Sequence, residues 1–343
     1  MISLLLSGCN WQTGAGLESK TPDGSAATEV IEGPTMGTHF TVKIANSPSA
    51  AATKDAAERI VKLLDTIDSM MSTYKPDSEL SRFNQLQSTE PFKVSPEMIE
   101  VFQLAREVSD ATDGAFDITV GPIVNAWGFG PEKHDQPPTD ADIAALMPRV
   151  GYKMIEIDPA GSTLRKTRPD IYCDLSGIAQ GYAGDKIAEM LDGMNIANYM
   201  IDISGEMRTR GVNDRGQPWR IAIERPDAPE RTPQLVVPLT NISLATSGDY
   251  RNYREIDGKR FSHEIDPKTG RPIQHGLASA SIVTDKCALA DAYATALMVL
   301  GPEKGYALAV EKGFPAYFLV RNATGGFDEL QTPKLKEWLA SSR

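Results

Sequence analysis

Apolar and polar positions alternate along Phe40-Thr41-Val42-Lys43-Ile44, the two-residue period of a strand with one buried face. From Ala52 to Met71 the period changes. Ile60, Val61, Leu64, Ile67 and Met71 recur at helical steps, which predicts an amphipathic helix with these residues inward. A second helix is expected from Ser95-Pro96, with serine as N-cap and proline in the first turn, to about Val108. Thr139 and Asp142 form a capping-box pattern that opens a short third helix. The second half is richer in strands. Asp170 to Leu175 reads as a strand feeding a helix from about Gly177 to Met190, and Tyr199–Ile203 and Arg220–Ile223 read as strands. Asp257-Gly258 is a hairpin-turn signal, and Ala278–Val283 precedes a helix from about Lys286 to Leu300. Helices and strands mix without a βαβ rhythm, so the expected class is α+β: a single large domain of mixed sheets and helices, in one or two lobes. No internal repeat is present, and proline and glycine cluster at residues 121–138 without forming a true linker.

Composition narrows what this domain does. With 343 residues, 41% hydrophobic and 24% charged, the chain can bury a substantial core. A net charge of −11 supplies no basic surface for nucleic acid and none for broad adhesion to anionic lipid. No apolar run reaches membrane-spanning length. The N-terminus stands apart. Leu6-Ser7-Gly8-Cys9, after a short apolar stretch, resembles a bacterial lipobox in which Cys9 is acylated; the alternative is a chance cysteine. Residues 10–28, rich in Gly, Ser, Thr and Ala, have the composition of a flexible tether. The expected organisation is a partial lipoprotein signal over 1–9, the tether over 10–28 and the folded domain over 29–343. Membrane association would be through the lipid alone, on the periplasmic side. Cys173 and Cys287 are the other two cysteines, too few for a disulfide framework or a zinc site.

Two short segments carry candidate chemistry. No GxGxxG follows a strand and no Walker loop is present. Asp174-Leu175-Ser176-Gly177-Ile178-Ala179-Gln180-Gly181-Tyr182 offers another phosphate device, a carboxylate and a glycine turn leading into a helix N-terminus. Many strand–turn–helix joints look like this without a ligand. Further along, Asp291 and Thr295 lie four apart on a helix flanked by small residues, so their oxygens share one face. A carboxylate plus a hydroxyl suits Mg²⁺, which completes its shell with water and phosphate oxygens. The alternative is a buried Asp and Thr satisfied by hydrogen bonds.

Gly33-Pro34-Thr35-Met36-Gly37-Thr38, Met71-Ser72-Thr73-Tyr74, Asp113-Gly114-Ala115-Phe116-Asp117, Asp174-Leu175-Ser176-Gly177, Ser262-His263-Glu264-Ile265-Asp266-Pro267 and Ala290-Asp291 through Thr295 occur in that order. Together they closely resemble the ApbE family of FAD:protein FMN transferases, over about residues 30–310. The resemblance implies that Met36, Tyr74, Ala115, Phe116, Asp117, Asp174, Gln180 and Ile273 line an FAD site. It implies that Asp291, Thr295 and the Gly177 carbonyl hold Mg²⁺. Relatives often carry Thr or Ala at the Gly177 position, which a main-chain ligand tolerates, and Lys or Glu at the Gln180 position. Residue chemistry agrees with these roles, since Met36, Tyr74 and Phe116 supply flat or adaptable apolar surface for rings and Asp117 and Asp174 accept hydrogen bonds. Core packing for the aromatics and turn capping for Asp117 are the plainer readings.

The activity implied by the resemblance is transfer of FMN from FAD to a threonine or serine of an acceptor protein, a subunit of a membrane redox complex, with AMP released. Asp291 and its cation would act on the diphosphate, and His263, in a polar stretch before Pro267-Lys268-Thr269-Gly270, is the candidate general base. Two alternatives remain at this stage: an FAD pyrophosphatase giving FMN and AMP, and a flavin-binding lipoprotein with no activity. Cys287 precedes Asp291 by four residues and Cys173 adjoins Asp174, so the two thiols are either inert and buried or a redox couple beside the metal.

Overall fold

The computed structural model describes residues 28–131, 134, 136–226, 232–250, 252–256 and 258–341; Cys9 and nearly all of the expected tether lie outside them. The described chain opens on a hairpin of β1 (Thr28–Thr35) and β2 (Thr38–Ala45). Its two turn residues, Met36 and Gly37, have φ of +46° and +72°, the left-handed pair whose twist matches that of the flanking strands. In α1 (Ala50–Met71) the Ser49 hydroxyl accepts from Ala52 N at 3.1 Å and caps the helix. Ile60, Leu64, Ile67 and Met71 are buried as their spacing predicts. Val61 is not: it is 42% exposed, about 100° round the helix from Ile60.

Next come α2 (Glu79–Gln85), the two-residue β3 (Phe92–Lys93) and α3 (Pro96–Ala111), where Ser95 Oγ accepts from Met98 N. The proline- and glycine-rich stretch holds α4 (Gly121–Ala126) and leads to α5 (Asp140–Leu146), whose Thr139–Asp142 capping box closes in both directions. Two further strands, β4 (Ile155–Asp158) and β5 (Thr163–Lys166), join β3 in a three-stranded sheet.

Residues 171–175, expected as a strand, make no ladder. Cys173 N donates to Asn84 Oδ1 at 2.7 Å, Asn84 Nδ2 donates back to Cys173 O at 2.8 Å, and Asp174 N donates to Ile118 O at 2.7 Å. A side chain and a loop carbonyl satisfy these groups where a neighbouring strand otherwise would. After α6 (Ala179–Gly193) come β6 (Tyr199–Ile203), β7 (Glu206–Arg210), β8 (Trp219–Glu224), β9 (Pro233–Leu239) and β10 (Ser243–Gly248). The expected hairpin is present as β11 (Tyr253–Ile256) paired with β12 (Lys259–Ser262) across Gly258; Asp257 lies outside the described residues. The chain ends through β13 (Ile265–Asp266), β14 (Arg271–Pro272), β15 (Leu277–Thr284), α7 (Cys287–Glu311), β16 (Ala316–Arg321), β17 (Phe327–Gln331) and α8 (Pro333–Ser341). Gly301, at φ +80°, and Pro302 break α7 where the first helical run was expected to stop.

Eight strands form one antiparallel sheet in the order β1-β2-β6-β7-β10-β15-β16-β17. Every residue of β15 is buried, and its Ala-Ser-Ala-Ser run lets α7 lie close over the sheet. The main core joins this face to α1, α3, α6 and α7. On the other face, Trp219, Ile221, Val237 and Leu239 of the β8–β9 ribbon pack with Leu319 and with Leu335 of α8. The class is α+β, as expected. No helix among the described residues is long and apolar enough to cross a membrane.

Candidate active cleft

The crossing of α6 and α7 sets the geometry. A Cβ at Gly181 would stand 2.3 Å from Cys287 O and 2.8 Å from Ala288 Cα, so glycine alone permits this approach. Asp185 of α6 then caps α7 from outside: its carboxylate accepts from Cys287 N at 2.8 Å and Ala288 N at 2.9 Å. The crossing delivers Asp291 to the start of α6, where Oδ2 accepts from Gly181 N at 2.9 Å. The helix terminus expected to bind an anion therefore already spends one N–H on a carboxylate of its own chain.

Asp291 is 5% exposed and Glu206, the first residue of β7, is 6% exposed. Burial pushes Asp291 up from 3.8 to about 7; the Gly181 hydrogen bond works against this and the Glu264 charge adds to it. Burial, then the charge of Asp291, holds Glu206 well above the ordinary carboxylate range. Glu206 Oε2 has no hydrogen-bond partner among the described residues. Two neighbouring buried carboxylates without a counter-charge ask for a proton or a cation.

Oxygens of other kinds gather beside them. A Cβ at Gly177 would lie 3.3 Å from Thr295 Oγ1 and 3.1 Å from Phe116, so the turn passes directly against the Thr295 hydroxyl. Ser247 Oγ is 3.4 Å from the same hydroxyl. Carboxylate, hydroxyl and main-chain oxygen are hard donors of the kind Mg²⁺ takes. Among the described residues no three His, Cys, Asp or Glu side chains assemble as a ligand set. A cation here would depend on these other oxygens, on water and on substrate. On that chemistry the residues fit the ion.

This cluster lies in the wall of a cleft of about 1340 Å³. Met36, Tyr74, Ala115, Phe116, Asp117, Asp174 and Gln180 line it, as do Gly177, Thr295, Asp291, Glu206 and His263. Ile273 does not. It packs against the main core, and its N–H donates to Glu264 O at 3.0 Å. Tyr74 is 61% exposed and reaches across to donate its hydroxyl to Phe129 O at 3.3 Å. The Asp117 carboxylate serves the fold: it accepts from Thr119 N and Oγ1 at 2.8 and 2.6 Å and from Tyr152 N at 2.8 Å. Asp174 Oδ1 accepts from Ser176 N and Oγ, shaping the turn before Gly177.

His263 has an orienting partner that no sequence motif signals. Its Nδ1 lies 2.8 Å from Asn252 O, which assigns the proton to Nδ1 and leaves Nε2 with a free lone pair. Nε2 is 3.6 Å from Glu264 Oε1, too far for a hydrogen bond, and Phe129 meets the ring edge-on. Glu264 is itself buried, and burial raises its pKa. Glu206 and Glu264 are the functional candidates that sequence reasoning missed. Glu206 follows Ser204 and Gly205, at φ +61° and +112°, in the tight turn between β6 and β7. Both thiols are free and fully buried, and burial raises their pKa values, so neither is poised for redox chemistry.

Residues 36–318 match the model of the ApbE family. A Vibrio cholerae protein named FAD:protein FMN transferase is 44% identical over 311 residues, covering 90% of this chain and 92% of its own length. Its namesake from Escherichia coli K12 is 40% identical, covering 94% and 93%. Among solved structures, the flavin transferase ApbE from Vibrio cholerae superposes with a TM-score of 0.84 at 43% identity, covering 91% of this chain and 99% of that one. The apo flavinyl transferase ApbE of Pseudomonas stutzeri gives 0.84 at 37% identity, covering 93% and 98%.

Proposed function

The chain belongs to the ApbE family, and from that membership we propose that it transfers FMN from FAD to a threonine or serine hydroxyl of an acceptor protein, releasing AMP. One observation carries the reading: a dinucleotide-sized cleft whose wall holds two buried carboxylates without counter-charge beside a hydroxyl and a glycine turn. Asp291, Thr295 and the Gly177 carbonyl would hold Mg²⁺, which neutralises charge on the diphosphate when bound. Met36 and Phe116 offer apolar surface to the rings, and Tyr74 closes over the cleft and limits water. In the transfer the hydroxyl oxygen bonds to the phosphorus of the FMN half, the bond to the AMP oxygen breaks, and His263 Nε2 takes the hydroxyl proton. Catalysis is then chiefly positioning and charge stabilisation.

The acceptor belongs, on this reading, to a membrane redox complex, and Cys9 anchors the chain by a lipid on the periplasmic side; the Leu6-Ser7-Gly8-Cys9 pattern supports the anchor. The test is mass spectrometry of membrane proteins from cells with and without the gene, and of acceptors incubated with the protein, FAD and Mg²⁺. Transfer adds the mass of FMN less water to one Thr or Ser. FMN and AMP appearing with no modified protein would make the chain a pyrophosphatase, and bound but unchanged FAD would make it a carrier.

A further inference from the structure

His263 and Glu264 are neighbours in sequence, and along an extended strand neighbours face opposite ways. Here the chain bends at His263 between β12 and β13, and both residues line the cleft. The main chain of Glu264 is held on both sides: its N–H donates to Ser262 Oγ at 3.1 Å, and its carbonyl accepts from Ile273 N at 3.0 Å. The carboxylate is held by neither. Although the residue is only 7% exposed, its carboxylate accepts no hydrogen bond from the described residues. Its cationic neighbour is the His263 ring, with Oε1 3.6 Å from Nε2.

The rest of the ring is already engaged. Nδ1 donates to Asn252 O at 2.8 Å, and the Phe129 ring meets it edge-on. Nε2 is left for proton transfer, and no second carboxylate among the described residues pairs with it. In the neutral ring Nε2 carries a lone pair and has nothing to donate, so the two electron-rich atoms stand 3.6 Å apart. A proton on Nε2 changes the pair into a cationic donor with an anionic acceptor beside it. Closing the gap by less than about an ångström gives a charge-assisted hydrogen bond. Burial raises the Glu264 pKa, the His263 charge opposes that shift and Asp249 adds to it, so the carboxylate ionises most readily when the ring is charged.

We propose that Glu264 is a positioning residue for the base: it receives the Nε2–H of His263 once the ring holds the acceptor's proton, and so draws that proton away from the newly bonded oxygen. The proposal rests on the transfer reading above. The acceptor's O–H bond breaks and its proton passes to Nε2, while its oxygen bonds to phosphorus. The bond to the AMP oxygen breaks, and its electron pair leaves with AMP. The His263–Glu264 pair thereby passes from one negative charge to neutrality, which a half-buried wall accommodates better than a lone imidazolium. The charge of Glu264 is also felt at Asp291, so a route through the cation is the competing one, and it would show in Mg²⁺ affinity.

The test is a double-mutant cycle of Glu264→Gln and His263→Asn in the full protein. Its readout is the single-turnover rate of FMN transfer, from saturating FAD with Mg²⁺ to the acceptor identified by mass spectrometry. Glutamine keeps the side chain's shape and removes its charge, and with no carboxylate hydrogen bond to lose, Tm should hold. Glu264→Gln should slow transfer roughly ten- to a hundredfold, the worth of one charge-assisted hydrogen bond, while the KM for FAD and the affinity for Mg²⁺ hold. In the His263→Asn background the same change should have less than about a twofold effect. Glu264→Asp keeps the charge but shortens the reach, so its rate should fall between the two and show the same dependence on His263. An equal loss in both backgrounds, an unchanged rate in the single variant, or a loss matched by weaker Mg²⁺ binding would each overturn the role. Wild-type protein that passes FMN to no acceptor would instead overturn the transfer reading.

Discussion

Removing any divalent cation should make this protein less stable as pH rises from 4 to 7, and Asp291 should be the reason. Its carboxyl ionises near 3.8 in the unfolded chain and near 7 in the folded one. Below about pH 4 both states keep the proton and the group has no effect on stability relative to acid. Between 4 and 7 the unfolded chain has released its proton and the folded chain has not, so stability falls by about 1.36 kcal/mol per pH unit. Above 7 both are ionised and the loss is complete, at roughly 4 kcal/mol. Unfolding entropy of ~2.1 cal/mol/K per residue over roughly 310 residues converts this to about 6 °C in Tm. Mg²⁺ at the ionised pair should recover most of it at pH 8, by supplying the charge that Asp291 and Glu206 lack.

The assay is differential scanning calorimetry in EDTA and in Mg²⁺ from pH 5 to 8, for wild type and Asp291→Asn. The asparagine oxygen still accepts from Gly181 N but has no proton to lose, so the variant should show a smaller loss of Tm and little response to Mg²⁺. Parallel pH curves for the two proteins in EDTA would refute the buried-carboxylate reasoning. An equal rise in Tm on adding Mg²⁺ would place the cation elsewhere.

Four further outcomes test other parts of the molecule. His263→Asn should keep FAD binding and lower transfer by roughly 10²–10⁴-fold; near-normal transfer would reduce His263 to a turn residue. Gly181→Ala should destabilise by at least ~1–3 kcal/mol in chemical denaturation and weaken Mg²⁺ binding as well, since its methyl meets Cys287 O and parts the helices that place Asp291. Cys9→Ser should move the protein from the membrane to the soluble fraction at full activity in solution; an unchanged membrane fraction would remove the lipid anchor. Native protein should leave Cys173 and Cys287 unlabelled by a thiol reagent that modifies both after denaturation, whereas a disulfide peptide in periplasmic material would contradict the buried free thiols.

What could be read in advance divides by the range of the interactions involved. The caps at Ser95 and Thr139 and the inward face of α1 depend on residues three or four apart, and those expectations hold except at Val61. Residues 171–175 failed as a strand because Asn84, almost ninety residues earlier, takes both main-chain groups of Cys173. The site divides the same way. Asp291 and Thr295 announce themselves by helical spacing, and the glycine turn at Gly177 by its place before a helix. Glu206 carries no such signature; its importance comes from β7 setting it in a buried space beside a helix whose relevant residue is eighty-five positions away. His263 reads as a solvated loop histidine until Asn252 O is found against Nδ1. Ile273, assigned to the FAD wall by resemblance, packs against the main core, and its N–H donates to Glu264 O. Motif spacing therefore locates the pair Asp291 and Thr295 but not the charge balance around it, and that balance decides whether the cleft takes a cation. Glu206→Gln isolates the point. It preserves shape and removes one buried charge, so the metal-free protein should gain stability at pH 8 while its affinity for Mg²⁺, measured by calorimetric titration without FAD, falls. A variant with unchanged Mg²⁺ affinity would confine the cation to Asp291, Thr295 and the Gly177 carbonyl and leave Glu206 a protonated core residue.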